Sequence, residues 1–128
     1  MLDYIWYFSL TKPYLTPPAW IFAPVWSFLY LTIAFSFVLY FLKKDENKGL
    51  GYLYFLVQMI LNLIWTPVFF GTKNILLALI VIILMDVFII LTIKKFYEVR
   101  KFAGLILIPY LIWTLFATYL NFGYFILN

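Results

Sequence analysis

The charged residues of this chain leave four stretches that are long enough to cross a membrane. Residues 19–42, 49–72, 74–93 and 102–128 contain no Lys, Arg, Asp or Glu except Asp86. A helix needs roughly 20 apolar residues to cross the hydrocarbon core of a bilayer. The stretches are apolar almost throughout, whereas the strands of a membrane β-barrel would alternate apolar and polar residues. The sequence therefore predicts an all-α bundle of four transmembrane helices.

The composition indicates one membrane domain over residues 1–128. Hydrophobic residues make up 67% of the chain and charged residues only 11%, whereas soluble domains carry about 25% charged residues. We expect the helices at about 18–42, 49–70, 74–93 and 102–127, with Pro67 bending or ending the second. Residues 1–17 are too short and too often interrupted by proline to cross the bilayer, so they are predicted to form an extramembrane segment.

The basic residues indicate which side of the membrane each loop occupies. The chain has nine Lys and Arg against five Asp and Glu. All the basic residues except Lys12 and Lys73 fall in two predicted loops, 43–48 and 94–101. Because short basic loops stay in the cytoplasm, we expect both loops there, in a prokaryotic cell membrane, and the 72–74 turn and both chain ends outside. The membrane topology thus explains the excess of basic residues, and no nucleic-acid partner is expected.

The chain contains no cysteine and no histidine. Histidine is the commonest general base and metal ligand, and thiolates are the other usual ligands of zinc and haem iron. A zinc site, a haem held by His or Cys, and a Ser-His-Asp triad are therefore excluded. We expect no metal, no cofactor and no set of conventional catalytic residues.

The second predicted helix carries polar side chains on one face. Gln58, Asn62 and Trp65 are spaced i, i+4 and i+7, which places them on the same side of a helix. An amide in hydrocarbon is costly without a hydrogen-bond partner, so this face is expected to point into the bundle. Two roles fit: the amides either bond to neighbouring helices or bind the polar edge of a ligand.

The fourth predicted helix repeats a four-residue spacing. Pro109, Trp113, Ala117 and Asn121 form an i+4 ladder, and Pro109 is expected to kink the helix. Trp113 lies near the middle of this helix, and Trp26 lies about 12 Å into the first predicted helix at the helical rise. Both are too deep for the aromatic belt at the membrane surface. These two tryptophans either pack in the core or line a pocket.

Asp86 is the one acidic residue within a predicted span. A carboxyl group inside the membrane is expensive and is usually functional. We expect Asp86 to act as a proton carrier or a polar anchor, or to be held protonated by hydrogen bonds.

Five short patterns recur here in the order and approximate spacing of one membrane-protein family. They are W-Y-x-x-L-x-K-P (Trp6 to Pro13), P-P-x-W (Pro17 to Trp20), P-V-W-x-x-L-Y (Pro24 to Tyr30), Q-x-x-x-N-x-x-W-x-P-x-F-F-G (Gln58 to Gly71) and P-Y-L-x-W-x-x-F-A-x-x-L-N (Pro109 to Asn121). Over nearly its whole length the chain resembles the translocator protein family, also called tryptophan-rich sensory proteins, peripheral-type benzodiazepine receptors or TspO/MBR.

The resemblance implies a membrane protein of five helices, often a homodimer, that binds porphyrins. Some members bind cholesterol or synthetic isoquinoline and benzodiazepine ligands. The family's pocket lies between the helices, and the matching ligand-binding positions are Trp26, Tyr30, Gln58, Asn62, Trp65, Trp113 and Ala117. Some bacterial relatives are linked to light-dependent porphyrin degradation through pocket tryptophans, which here match Trp26 and Trp113.

Three functions follow as hypotheses. The leading one is a receptor that binds a flat hydrophobic ligand, above all a porphyrin, as a sensor, carrier or scavenger. The second is light-dependent degradation of that porphyrin. The third is a structural or regulatory role in the membrane without a small-molecule ligand.

Two departures from the family pattern bear on ligand binding. The family's first helix precedes W-Y-x-x-L-x-K-P, whereas only five residues precede Trp6 here. Either the start is truncated or this member has four helices, and a missing helix would leave one wall of the pocket to lipid or a partner chain. The sterol-recognition pattern of some relatives needs a basic residue after the C-terminal tyrosine. None follows Tyr124, so cholesterol is not expected.

Overall fold

The computed structural model describes residues 19–44, 48–71 and 74–128. These residues form helices and turns and contain no strand, which confirms the predicted all-α class. The helices are α1 (Phe22–Leu42), α2 (Gly49–Thr66), α3 (Ile75–Val99), α4 (Lys101–Leu105) and α5 (Ile108–Leu127), with a 3₁₀ turn at Ala19–Ile21 and a π-helical turn at Pro67–Gly71. The predicted extramembrane segment 1–17 and the pattern around Trp6 lie outside the described residues.

The described residues contain four segments that are long and apolar enough to cross a membrane, as predicted. They are Ala23–Leu42, Gly49–Phe69, Ile75–Val99 and Lys101–Leu127, the last of which joins α4 and α5. Short connections make successive segments antiparallel. One end of the bundle therefore gathers basic residues, and we call it the basic end: Lys43, Lys44, Lys48, Lys94, Lys95, Arg100 and Lys101.

The outward faces of the helices are apolar. Leu31 of α1, Leu56 of α2 and Ile83 of α3 are among many large hydrophobic side chains that other parts of the protein leave uncovered. Such a surface is stable in a lipid bilayer, whose hydrocarbon covers it. The chain is therefore an integral membrane protein with lipid as its surroundings.

The third helix is longer than predicted. The sequence predicts an end at residue 93 and a basic loop over 94–101, but α3 continues to Val99. The residues between contain no glycine or proline, and Lys95 forms an ion pair with Glu98 at 3.6 Å, one turn apart. The prediction of a loop over 94–101 is therefore wrong, although its basic residues still lie at the basic end.

Two prolines mark places where helices end or begin. α2 ends at Thr66 and Pro67 begins the π-helical turn, as predicted. Pro109 instead lies in the first turn of α5, and the break precedes it, at Ile106 and Leu107. Proline has no N–H to donate, so it is tolerated in a first turn, where that group has no helical partner. The predicted kink within one helix is therefore a turn between two helices.

α3 forms the centre of the bundle. Its buried side chains, including Ile82 and Met85, lie among α2, α4 and α5. In lipid the hydrophobic effect does not draw helices together, so close packing and interhelical hydrogen bonds stabilise the bundle. One such bond joins α1 to α4, since the hydroxyl of Ser36 donates to the carbonyl oxygen of Ala103 at 2.5 Å.

Lys48 and Tyr40 join three helices at the basic end. The ammonium group of Lys48 donates to the carbonyl oxygens of Phe41 at 2.9 Å and Lys43 at 2.7 Å, which caps the C-terminal end of α1. The hydroxyl of Tyr40 donates to the carbonyl oxygen of Lys48 at 2.8 Å. Its ring stacks on Phe96 of α3 at a centroid distance of 3.9 Å. The end of α1, the start of α2 and the end of α3 are thus held together.

Gly104 sets the distance between α4 and α3. A Cβ atom at this position would lie 2.7 Å from the Cβ of Tyr97 and 2.8 Å from the carbonyl oxygen of Ile93. We expect Gly104→Ala to lower the free energy of unfolding by about 1–3 kcal/mol, because the helices must move apart. Thermal unfolding in detergent, followed by circular dichroism, measures the loss. Gly49→Ala is the control, since nothing lies within 4 Å of its Cβ position, and an equal loss in both variants would contradict this account.

Candidate functional site

Four polar side chains form a hydrogen-bonded chain between three helices. The hydroxyl of Tyr30 on α1 donates to Oδ1 of Asn62 on α2 at 2.6 Å. Nδ2 of Asn62 donates to the hydroxyl of Tyr110 on α5 at 2.7 Å. That hydroxyl donates to Oε1 of Gln58 at 2.7 Å. We call Tyr30, Asn62, Tyr110 and Gln58 the polar chain.

Both amides of α2 are buried, as their helical spacing predicts. Gln58 is 1% exposed and Asn62 is 5% exposed. Because they are four residues apart, both point to the same side of α2 and reach the same hydroxyl of Tyr110. Two roles were considered for these amides, hydrogen bonding between helices and ligand binding. The structure contains the hydrogen bonds between helices.

Three aromatic rings lie beside the polar chain and join α1 to α5. The ring of Trp26 lies 5.9 Å from that of Tyr30 and 6.5 Å from that of Trp113, which it meets edge to face at 87°. Both indoles are half-buried, and Tyr30 is 39% exposed. We call Trp26, Tyr30 and Trp113 the aromatic cluster. It forms a partly open apolar surface next to a buried polar interior.

The two other predicted site residues lie beyond this group. Ala117, one turn after Trp113, is buried in the main hydrophobic core. Trp65 donates from Nε1 to Oδ1 of Asn121 at 3.0 Å, and its ring stacks on Phe69 at 5.3 Å. The amide of Asn121 in turn donates to the carbonyl oxygen of Ile75 at 3.1 Å. Trp65 therefore helps to join α2, α3 and α5 near the end opposite the basic end.

Sequence reasoning missed Tyr110, which lies at the centre of the polar chain. The buried face of α5 carries Tyr110, Thr114, Ala117, Leu120, Asn121 and Tyr124. The predicted ladder began one residue earlier, at Pro109, which is exposed. The spacing i, i+4, i+7 and i+11 from Tyr110 to Asn121 is that of one helix face, and this signal was available in the sequence.

The site offers aromatic faces, hydroxyl groups and amides. Among residues 19–44, 48–71 and 74–128, no three His, Cys, Asp or Glu side chains are grouped so that they could hold a metal ion. Aromatic faces stack on flat apolar molecules, while hydroxyl and amide groups donate and accept hydrogen bonds. The chemistry that this arrangement supports is the binding of a flat molecule with polar groups at its edge.

Comparison with known proteins identifies the family. Residues 2–127 match the sequence model of the TspO/MBR family. The chain belongs to the TspO/MBR family. The resemblance drawn from the five sequence patterns is thereby confirmed, and TspO/MBR membership agrees with the four membrane-spanning segments of the described residues.

Named TspO/MBR relatives are similar to this chain over most of its length. The tryptophan-rich protein TspO of Chlorobaculum tepidum is 42% identical over 126 residues, which cover 96% of this chain and 80% of that protein. The tryptophan-rich sensory protein of Cereibacter sphaeroides is 37% identical, over 91% of this chain and 73% of that protein. The translocator protein of Homo sapiens is 32% identical, over 91% of this chain and 71% of that protein.

Replacing Tyr110 tests whether the polar chain stabilises this TspO/MBR bundle. We expect Tyr110→Phe to lower the free energy of unfolding by about 1–2 kcal/mol, because Gln58 and Asn62 each lose a buried hydrogen-bond partner. Thermal unfolding in detergent measures the effect. Tyr97→Phe is the control, since Tyr97 is 45% exposed. If Tyr110→Phe unfolded at the wild-type temperature, the amides would not depend on this hydroxyl.

Proposed function

We propose that this TspO/MBR protein binds a flat hydrophobic ligand, and that the ligand is a porphyrin. The observation that carries the proposal is the contact between the aromatic cluster and the polar chain, which share Tyr30. A porphyrin has the matching chemistry, since it combines a wide apolar plane with polar groups at its rim. The family resemblance supports the same choice of ligand.

The aromatic cluster would supply the stacking surface. Trp26 and Trp113 present partly open rings on two different helices. Each aromatic contact contributes about 0.5–1.5 kcal/mol beyond the effect of the buried area itself. Stacking alone gives little selectivity among flat molecules, so the polar groups must provide it.

The polar chain would orient the ligand's edge. The ring of Tyr30 belongs to the aromatic cluster, while its hydroxyl donates to Asn62. A ligand oxygen or nitrogen could accept a hydrogen bond from the hydroxyl of Tyr30 in place of Asn62. One hydrogen bond would then replace another, at a small net cost in free energy. Gln58 and Asn62 would then hold the polar edge. Ala117 and Trp65 are proposed to complete the walls of the site.

The proposed role is that of a sensor, carrier or scavenger of the ligand. Relatives carry the names tryptophan-rich sensory protein and translocator protein. Both names agree with a protein that receives or carries a small molecule. A binding site without a conventional catalytic group is consistent with these roles.

A dark titration with protoporphyrin IX tests the proposal. The purified protein in detergent should saturate at equimolar ligand, as followed by its Soret band. The double variant Trp26→Phe, Trp113→Phe should bind about tenfold more weakly, because two stacking contacts are weakened. Trp20→Phe is the matched control, since Trp20 is 73% exposed and precedes α1. Linear uptake that never saturates, with the same slope in all three proteins, would refute the proposal.

A second candidate is light-dependent degradation of the bound porphyrin. The observation in its favour is the edge-to-face pair of Trp26 and Trp113, which would place oxidisable indoles against an excited ligand. Illumination of the saturated samples separates this activity from binding. The degradation activity would be supported if light bleached the Soret band of the wild type but not that of Trp113→Phe, while Trp113→Phe still bound the porphyrin in the dark. Equal bleaching in both proteins would exclude a role for Trp113.

We also infer that the basic end faces the cytoplasm of a prokaryotic cell. All Lys and Arg of the described residues lie at this end. Basic residues next to a membrane span are retained on the cytoplasmic side. The opposite end, with the end of α5, would then face the outside.

Cysteine labelling in intact cells tests this orientation, because the chain has no cysteine of its own. A membrane-impermeant maleimide should label Asn128→Cys and should leave Lys44→Cys and Lys101→Cys unlabelled. Permeabilised cells provide the control, in which all three should react. The reverse labelling pattern in intact cells would show that the basic end faces outward.

A further inference from the structure

Asp86 lies in the middle of a membrane-spanning helix, and its carboxyl group faces α5. α3 runs from Ile75 to Val99, so Asp86 is about 16 Å from its start and about 20 Å from its end at the helical rise. The side chain is 6% exposed. The carboxyl group is therefore far from both ends of the bundle and almost completely enclosed by protein.

Thr118 of α5 is the hydrogen-bond partner of this carboxyl group. Oγ1 of Thr118 lies 2.5 Å from Oδ2 of Asp86 and 2.8 Å from the carbonyl oxygen of Thr114. Both separations are hydrogen-bond distances. A threonine hydroxyl has one hydrogen to donate but can accept two. Two separate, full hydrogen bonds form when Thr118 donates to the carbonyl oxygen of Thr114 and accepts a hydrogen from a protonated Asp86, whereas beside an ionised Asp86 the one hydrogen of Thr118 must be shared between the two oxygens.

No charge in the described part of the bundle balances a carboxylate at this depth. Oδ1 of Asp86 is buried and has no hydrogen-bond partner among the described residues. α1, α2 and α5 contain no Lys or Arg. The lysines of α3 begin at Lys94, about 12 Å farther along the helix. An unpaired carboxylate is strongly disfavoured in such surroundings, whereas the neutral acid is tolerated.

The titratable groups on neighbouring elements supply no compensating charge near Asp86. Tyr110 shares the buried face of α5 with Thr114, and tyrosine is neutral at physiological pH. Lys101 of α4 is exposed at the basic end. The complete set on the elements around α3 is Tyr30 and Tyr40 of α1, Tyr52 and Tyr54 of α2, Lys101 of α4, and Tyr110, Tyr119 and Tyr124 of α5.

We propose that Asp86 is a proton-binding site in the middle of the membrane, and that its protonated carboxyl group donates a hydrogen bond to the hydroxyl of Thr118. The neutral contact joins α3 to α5, the helix that also carries Tyr110 and Trp113. Release of the proton would leave a negative charge between the two helices, and Thr118 would have to give up or share its bond to the carbonyl oxygen of Thr114 in order to donate to the carboxylate. Proton binding at Asp86 is thereby linked to the packing of α5.

Infrared spectroscopy of the purified protein at neutral pH tests the proposal directly. The wild-type spectrum minus that of Asp86→Asn should contain the carbonyl band of a protonated carboxylic acid, and this band should move in D₂O. In Thr118→Val the band should persist at a changed frequency, because the acid has lost its acceptor. Carboxylate bands in the difference spectrum, without an acid band, would overturn the proposal.

The pH dependence of unfolding gives a second readout that is independent of band assignment. The folded protein would hold a proton that the unfolded chain releases to water, so the wild type should lose stability as the pH rises from acidic to neutral. Asp86→Asn keeps a donor for Thr118 but has no proton to release, so this loss should be absent. Identical pH profiles of the midpoint temperature in the two proteins would overturn the proposal, because all other titratable groups are shared.

Discussion

Polar side chains inside a bilayer have no water to bond to, and in this protein polar groups of both α2 and α3 find partners on α5. Tyr110 meets the amides of α2, Thr118 meets Asp86 of α3, and Asn121 meets Trp65 and the start of α3. These contacts lie along one side of a single helix. The cost of leaving any partner unpaired in hydrocarbon fixes how α5 sits against α2 and α3. The aromatic cluster depends on the same placement, since Trp113 reaches Trp26 from α5.

The helical type and the four membrane-spanning segments of the described residues could be predicted, because length and lack of charge decide whether a segment crosses a bilayer. The ends of the helices could not be predicted in the same way. Charge marks where the chain meets the headgroups, but the backbone hydrogen bonds of α3 continue through Lys94 and Lys95 to Val99. Pro109 shows the same limit, because a proline signals a break without stating on which side of it the break falls.

Part of the candidate site followed from the cost of burying amides. Gln58 and Asn62 had to face the interior, and they do. The hydrogen-bond partner of those amides was not predictable. The spacing along α2 shows that both amides point to the same side of the helix, but it does not show which helix packs against that side. Tyr110 was missed because the ladder predicted on the fourth helix began at Pro109, one residue away from the face that is buried. The meeting of Trp26 with Trp113, far apart in the chain, was indicated only by the family resemblance.

The aromatic residues are divided unevenly along the bundle. Of the described tryptophans, Trp20, Trp26 and Trp65 lie away from the basic end and Trp113 lies near the middle of its span. At the basic end Tyr40, Tyr52, Phe55 and Phe96 pack together instead. Emission from the described indoles therefore reports on the middle of the bundle and on the end opposite the basic end. A loosening confined to the contacts of Lys48 and Tyr40 would leave the surroundings of these indoles unchanged. Intrinsic fluorescence and backbone dichroism thus observe different regions of this protein, and a difference between them would locate an opening at one end.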